Sequence, residues 1–524
     1  MRKAQMRQAL DFIESLHQAH GEIENAAGRK NLILAQNMLG ECQQFAISFG
    51  ENIEKLEGEG HITVSYVEDY CEVLFRVYED VCNGHANEPQ IHKILEEQLS
   101  RIEKSVQNDI KVKKEIAFFP YKASMWDSLE SVYLAAREDS ECDAFVVPIP
   151  YYDLNPDRSF GQMHYEGREY PKNIEVMDWQ SYHFEKRKPD AIYIHNPYDS
   201  WNLVTSIHPR FYAENLKKYT EKLIYIPYFV LSEIEPEDQA RIDKMKHFCF
   251  IPGTVWADKV IVQSEKMKQI YVNEYSKGAM AAGLSGRHVD RDLLNQKILG
   301  LGSPKLEKIA GSLDAEIPDD WQSKMVTKDN ERKKVIFFNT NVSLMLNNQE
   351  RFIDNLRRIA CIMESYRERF TVIWREHPLT NEALKSMHPD LQCDYLAFKS
   401  EFCSKEWVIL DTLAEAHTAM AVSDGYFGAG GSLAAMYFVT GRPMMVTDYH
   451  YPNEISLKPT TLEKLKLSMR HRTYYNEKNI NSLNLFLENI EDLKVYQRQR
   501  FHDSLMADGL GKGAGRKIYR VLSD

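Results

Sequence analysis

Residues 371–378 read Thr-Val-Ile-Trp-Arg-Glu-His-Pro, which places Arg375 and His377 at the end of an apolar run that Pro378 closes. Four such residues in a row read as a buried strand, and ligands of open α/β sheets collect where strands end. A guanidinium and an imidazole at that edge are suited to neutralising a diphosphate. Further on, residues 422–432 read Val-Ser-Asp-Gly-Tyr-Phe-Gly-Ala-Gly-Gly-Ser and lead into a helical pattern over 433–440. Gly430 and Gly431 let backbone approach a ligand. Ser432 is placed as an N-cap whose neighbouring free N–H groups face an anion, with Ser423 and Asp424 in the same polar cluster. Asp411, closing the run 407–411, suits a ribose hydroxyl or a helix N-cap. Asn339, Thr340 and Ser343 close another strand in the same way. Each has a plain structural alternative: an ion pair for Arg375, a satisfied loop histidine for His377, and a ligand-free turn for the glycines.

In the first half, residues 195–199 read His-Asn-Pro-Tyr-Asp and follow a strand. His195 is a candidate general base beside the Asp199 carboxylate, and the segment is equally an Asn-Pro turn. Tyr121, Lys122, Ser124 and Asp127 occupy the loop after the first strand, a place for acceptor contacts or an ordinary polar loop. His208 reads as structural, and His61, His85 and His92 as solvent-facing or capping. No HExxH, CxxC pair or Asp-x-Asp constellation stands out, so nothing calls for a metal or other cofactor. Residues 509–515 look like a phosphate loop but lack its spacing and its preceding strand. They read as a helix lead-in.

These residues need elements to position them. The chain has 524 residues and 43% hydrophobic composition, a prior of roughly three structural units. Residues 1–110 carry apolar residues at helical spacing and predict three or four amphipathic helices in a bundle, a cap or an oligomer or partner module. Residues 111–312 alternate strand and helix, with strands expected at 112–121, 144–149, 191–194, 222–226 and 259–263. Residues 313–524 repeat the alternation, with strands at 334–338, 370–374, 407–410, 419–422 and 443–446, then a basic helical C-terminal stretch. This predicts an α/β chain of two doubly wound Rossmann-like domains facing a cleft, after an α-helical module. The eight scattered cysteines point to a reducing, cytoplasmic setting, and no run is long enough to span a bilayer. A formal charge of −12 argues against a general nucleic-acid binder.

The order of these motifs resembles the CDP-glycerol glycerophosphotransferase family, GT-B-fold enzymes that build teichoic-acid-type polymers. The family's Arg-x-His-Pro motif resembles residues 375–378. Its interdomain Gly-x-Pro-Arg turn resembles residues 301–305, Leu-Gly-Ser-Pro-Lys. Its serine-rich segment and following Gly-Lys-Pro turn resemble 423–432 and 441–443. The chain looks like a divergent branch: Tyr-Ile-Pro-Tyr at 225–228 stands about where the family carries Trp-His-Gly-Thr-Pro, and the donor loop keeps one of two adjacent serines. The resemblance implies transfer of a phosphoalcohol from CDP-glycerol or a related CDP-alcohol to a glycerol-phosphate or glycan-lipid acceptor, with release of CMP. It also implies peripheral contact with the inner face of the cell membrane. A nucleotide-sugar glycosyltransferase or epimerase of the same fold, and a non-catalytic nucleotide-binding partner protein, are the alternatives.

Overall fold

The computed structural model describes all residues except 84–87, 232, 312–316, 343, 345–350, 379, 414, 448–460, 472–474, 478–479, 481, 502–512 and 524. Ser343, His85 and residues 509–512 of the glycine-rich stretch therefore lie outside the described residues.

Four helices open the chain: α1 (Lys3–Gly28), α2 (Leu32–Glu57), α3 (Ile62–Cys82) and α4 (Glu88–Asn108). Each packs on its sequence neighbour and α4 closes back on α1, so the hairpins form a four-helix bundle. The pattern behind this is visible on α4, where Ile91, Leu95, Leu99, Ile102 and Val106 are all buried at three- and four-residue spacing. Charge ties the bundle to the first sheet. Glu115, 1% exposed, accepts Arg187 on both oxygens and also Arg2 from the start of α1. Tyr182 completes its hydrogen bonding, so the buried carboxylate is fully paired.

The first sheet is parallel and six-stranded: β1 (Lys114–Phe119), β2 (Cys142–Val146), β5 (Ala191–Ile194), β7 (Lys222–Tyr225), β8 (Lys259–Val262) and β9 (Ile298–Gly300), in the order β2-β1-β5-β7-β8-β9. A small antiparallel sheet of β3 (Tyr151–Leu154), β4 (Phe160–His164) and β6 (Thr205–Ile207) sits beside it. The second sheet comprises β10 (Lys334–Thr340), β11 (Phe370–Glu376), β12 (Val408–Leu410), β13 (Gly425–Gly428), β14 (Met444–Thr447) and β15 (Tyr475–Glu477). Its order is β12-β11-β10-β13-β14-β15, again all parallel. In local numbering these orders are 2-1-3-4-5-6 and 3-2-1-4-5-6, the two common doubly wound arrangements. The buried strands carry near-continuous apolar runs such as Val335 to Phe338, as sheets covered on both faces require.

Two Rossmann-like units in tandem, with the carboxyl ends of their strands turned toward each other, give the GT-B-like architecture expected from the sequence. The units are joined by the helix Pro304–Gly311. Its Lys305 reaches Asp127, and its Lys308 reaches Glu130, in the first unit. Its Glu307 accepts the backbone N–H groups of Gly513 and Gly515, a carboxylate at a helix N-terminus. That last helix, Ala514–Ser523, returns to the first unit and packs on α5 (Glu130–Glu138). At Gly515 a Cβ would collide with Ser131, so the two helices approach as closely as only glycine allows. No described helix is long and apolar enough to cross a membrane.

One strand expectation is overturned. Residues 419–422 end the helix His417–Val422, and the strand is the next segment, β13. A four-residue apolar run does not distinguish a strand from a buried helical turn.

Candidate functional site

In the second unit the strand order reverses between β10 and β13, and the crevice at the carboxyl ends of these two strands is where such folds bind ligands. Asn339, 5% exposed, organises this edge. Its Nδ2 donates to the Arg375 carbonyl at 3.0 Å, and its Oδ1 accepts the Tyr426 hydroxyl at 3.2 Å. Its own carbonyl accepts the Ala429 N–H at 2.9 Å. Asn339 thus joins the ends of β10, β11 and β13 and has its side chain committed to the scaffold. Thr340 is likewise occupied, accepting the Trp374 indole N–H at 3.2 Å. Asn341, one residue on, donates to the Gly430 carbonyl at 3.0 Å and fixes the glycine loop beside β10.

That loop leaves β13 at Gly428, whose φ of 140° places any Cβ against the Asn339 backbone. Gly431, with φ 136°, takes the N-cap position of the helix Ser432–Tyr437, where Ser432 was expected; Ser432 is the first helical residue. Gly431 and Ser432 are exposed, and no side chain caps the helix, so its start at the crevice is left to another partner.

Arg375 ends β11 and donates to Asp411 at 2.6 Å and to the Leu413 carbonyl at 3.0 Å. Burial raises the Asp411 carboxyl above its ordinary range, and the guanidinium pulls against that rise. Arg375 and Asp411 are therefore brought together as an ion pair. Glu376 pairs with Lys399 and Tyr395, which ties the helix Pro389–Cys403 to the strand end. His377 is exposed beyond them, and partial burial lowers its proton affinity. Its carbonyl accepts the Thr380 N–H at 2.9 Å, starting the next helix, Thr380–Met387.

Ser423 and Asp424 are a correction. Because β13 begins only at Gly425, both precede it and lie at the amino edge of the sheet, opposite the crevice. Asp424 accepts the Val335 N–H at 2.9 Å at the start of β10, and Ser423 is buried against Met420 and Tyr437.

The first unit reverses between β1 and β5, and there His195 meets Tyr121. His195 is fully buried. Its Nε2 accepts the Tyr121 N–H at 3.0 Å, which leaves the ring proton on Nδ1, 2.9 Å from the Ser128 hydroxyl. Burial lowers its pKa to about 3. Both nitrogens are engaged in holding the β1 loop, and this geometry makes His195 a scaffold residue with no lone pair open to an acceptor. Asp199, at a left-handed φ of 47°, accepts the Ala213 N–H at 2.8 Å and the Asn196 amide at 3.2 Å; burial raises its pKa to about 7. It too is a scaffold carboxyl. Lys122 lies 4.8 Å from the Tyr151 ring centroid, and Ser124 is exposed. The space at the carboxyl ends of β7 and β8, lined by Ile226, Pro227, Phe229 and Gln263, is about 20 Å³, room for a water.

Asp127 is 2% exposed and joins the two units. Both its oxygens lie 2.7 Å from Lys305 Nζ, and one lies 3.2 Å from Nε2 of His417, which starts the helix before β13. The other His417 nitrogen is 2.8 Å from Glu415. Burial works against charge on both groups, but for Asp127 Lys305 and His417 outweigh it and hold the carboxyl below its usual range. For His417, burial is outweighed by its bonds to Asp127 and Glu415, and its proton affinity rises. Sequence reading missed His417 because nothing in Glu-Ala-His-Thr marks it; only the packing of two units sets it against Asp127.

The fold and the crevice define a class, two Rossmann-like units of GT-B type with an anion-suited helix start at a strand-order switch point. No protein-family model matches the chain, and no curated protein matches its sequence. Among solved structures it is similar to the wall teichoic acid polymerase TagF, at 13% identity over 87% of this chain and 97% of that one, TM-score 0.44. It is also similar to S. aureus MnaA in its co-structure with UDP, at 12% identity over 77% and 94%, TM-score 0.42. A third is the UDP-GlcNAc 2-epimerase from Neisseria meningitidis bound to UDP-GlcNAc, at 10% identity over 78% and 100%, TM-score 0.42. These are likenesses of chain architecture alone.

Proposed function

We propose that the chain is a transferase that binds a nucleoside-diphosphate donor at the carboxyl edge of the second sheet and passes a group from it to an acceptor hydroxyl. The observation that carries this reading is the exposed helix start at Gly431 and Ser432, held at the β10–β13 switch point by Asn339 and Asn341. Uncapped N–H groups and the positive end of a helix favour a phosphate there. His377, exposed at the neighbouring strand end, supplies a further group for the transferring phosphate or its proton. Arg375, held in its pair with Asp411, stands at the same neighbouring strand end.

The finer reading, supported by the motif order, is a cytidine diphospho-alcohol donor such as CDP-glycerol. The phosphoalcohol passes to a hydroxyl of a glycerol-phosphate or glycan-lipid acceptor, and CMP leaves. Phosphoryl transfer needs an in-line nucleophile and charge neutralisation more than covalent help. The acceptor enters against the β1 loop at Lys122 and the exposed Ser124, while Tyr121 and Asp127 are buried beneath them. With His195 sealed in the scaffold, the acceptor proton is taken by His377 or by the donor phosphate itself. That sealing favours a second reading, in which the chain processes or senses a nucleotide sugar and no acceptor is activated in the first unit.

The test is incubation with CDP-glycerol, CDP-ribitol and UDP-sugars, with and without membranes, following released nucleotide by chromatography. CMP release that rises with acceptor membranes, and that His377→Ala lowers by about 10²–10⁴-fold with folding retained, is the expected result. Full activity of His377→Ala removes the role given to His377, and UDP formation replaces the donor assignment with the second reading.

A further inference from the structure

The N-terminal bundle holds a cluster of polar groups in its interior. His17 and His20 lie three residues apart on α1 and so share a face, and both turn toward Glu96 on α4. His17 Nδ1 is 2.7 Å from one Glu96 oxygen and His20 Nδ1 is 2.8 Å from the other. The three donor atoms lie within 4.8 Å of one another. The far nitrogen of His20 has a hydrogen-bond partner, and that of His17 has a carboxylate at ion-pair distance. His20 Nε2 is 2.7 Å from the Tyr70 hydroxyl on α3, and His17 Nε2 is 3.7 Å from Glu103, two turns beyond Glu96 on α4.

We propose that His17, His20 and Glu96 form a site for one divalent transition-metal ion of the zinc class, with Tyr70 and Glu103 as the outer partners of the two imidazoles. Two imidazoles and a carboxylate suit Zn²⁺ and leave a fourth position for water. Metal-bound histidines nearly always donate their other N–H to a carboxylate or similar acceptor, which fixes the ring and raises its basicity. Here Tyr70 stands in hydrogen-bond reach of His20, and Glu103 is close enough to turn to His17, on separate helices. Without an ion the same groups form a hydrogen-bond chain, Tyr70 to His20 to Glu96 and His17 to Glu96. On binding, each Nδ1 proton leaves or moves to Nε2, and the Nδ1 lone pairs face the ion. Bonds of about 2.0–2.1 Å set tetrahedral ligand atoms about 3.4 Å apart, so an ion would spread the carboxylate from the two imidazoles.

His17 and Glu96 are 22% and 28% exposed while His20 is fully buried, so an ion has a path in and one side open to water. A comparable triad at the unit interface, Asp127, Glu415 and His417, does not compete, because the Lys305 ammonium already fills the cation position against Asp127.

The test uses the full chain stripped with a chelator and titrated with Zn²⁺ against a chromophoric competitor, and with Co²⁺ followed by its visible ligand-field bands. One equivalent with tetrahedral Co²⁺ bands is expected. His17→Ala and Glu96→Gln, both at the part-exposed side of the cluster, should weaken binding by at least about 100-fold, and Glu103→Gln by about 10-fold. Glu415→Gln should leave binding unchanged. Paramagnetic loss of the His17 and His20 imidazole resonances on adding Co²⁺ to the unmutated chain tests the site without any substitution. Less than one equivalent bound at about 10 µM free Zn²⁺, binding undiminished in His17→Ala and Glu96→Gln, or loss of binding in Glu415→Gln would each overturn the assignment.

Discussion

Removing the Asp127 carboxylate should loosen the joint between the two Rossmann-like units. Asp127→Ala takes the counterion from Lys305, which is only 12% exposed, and one of two carboxylates from His417, which is 6% exposed. Breaking a buried pair by deleting one partner costs about 3–5 kcal/mol, since the other charge is left without compensation. With a urea dependence of about 2–3 kcal/mol per molar, the unfolding midpoint should fall by about 1–2 M. Intrinsic tryptophan fluorescence follows the unfolding, and Trp126, the buried neighbour of Asp127, is one of the seven reporters. The loss should also depend on pH. The carboxyl of Asp127 is held low by Lys305 and His417 against burial, so its contribution is present above about pH 4 and disappears as pH falls through the folded value. His417 is raised by Asp127 and Glu415 against burial, so its contribution is complete below about pH 6.5 and disappears as pH rises through the folded value. The difference between the parent chain and Asp127→Ala should therefore peak between about pH 4 and 6.5. In the double variant Asp127→Leu with Lys305→Met, the pair is replaced by apolar volume and most of the loss should be recovered. A cost below about 1 kcal/mol at pH 5.5, a pH-independent difference, or additive losses in the double variant would refute the reasoning.

The remaining expectations concern single residues. His195, neutral in the fold with a pKa near 3, should make the chain lose stability on acidification below about pH 6.5, at roughly 1.4 kcal/mol per pH unit. His195→Gln keeps an acceptor for the Tyr121 N–H and should flatten that acid limb in urea titrations; an unchanged limb would contradict the buried neutral state. Asp424→Ala should cost about 1–3 kcal/mol by orphaning the Val335 N–H, with donor KM unchanged, while Ser432→Pro, which removes the first N–H of the helix where proline is tolerated, should raise donor KM. The opposite assignment of effects would place the donor at the amino edge.

Strand and helix were legible where long apolar runs settle the period, as in 334–338 and 370–374, and on the bundle helices. What failed was short. Residues 419–422 and 425–428 each offer four residues, and glycines flank the second, so periodicity could not assign them. That one misreading carried Ser423 and Asp424 to the wrong edge of the sheet. Arg375, Asp411 and the Gly430–Ser432 turn were locatable because each follows a strand in sequence. Their partners were not, since the Arg375–Asp411 pair and the Asn341–Gly430 bond depend on strand order. His195 shows the converse: a histidine after a strand reads as chemistry, and only burial with both nitrogens bonded shows it as scaffold. The convergence of His17, His20 and Glu96 required knowing which face of α4 closes on α1.

The returning helix Ala514–Ser523 has a consequence for how the chain is made. The bonds from Arg516 to Glu138 and from Tyr519 to Asp139 join residues 378 and 380 positions apart. A ribosome therefore releases the whole second unit before the first can cover the α5 flank of its sheet. Until then α5 presents an uncovered face in the nascent protein, and closure over so long a separation is slow relative to local folding. The first unit waits longest for its final piece, and in that interval a chaperone or a second nascent chain meets α5 before its own partner does.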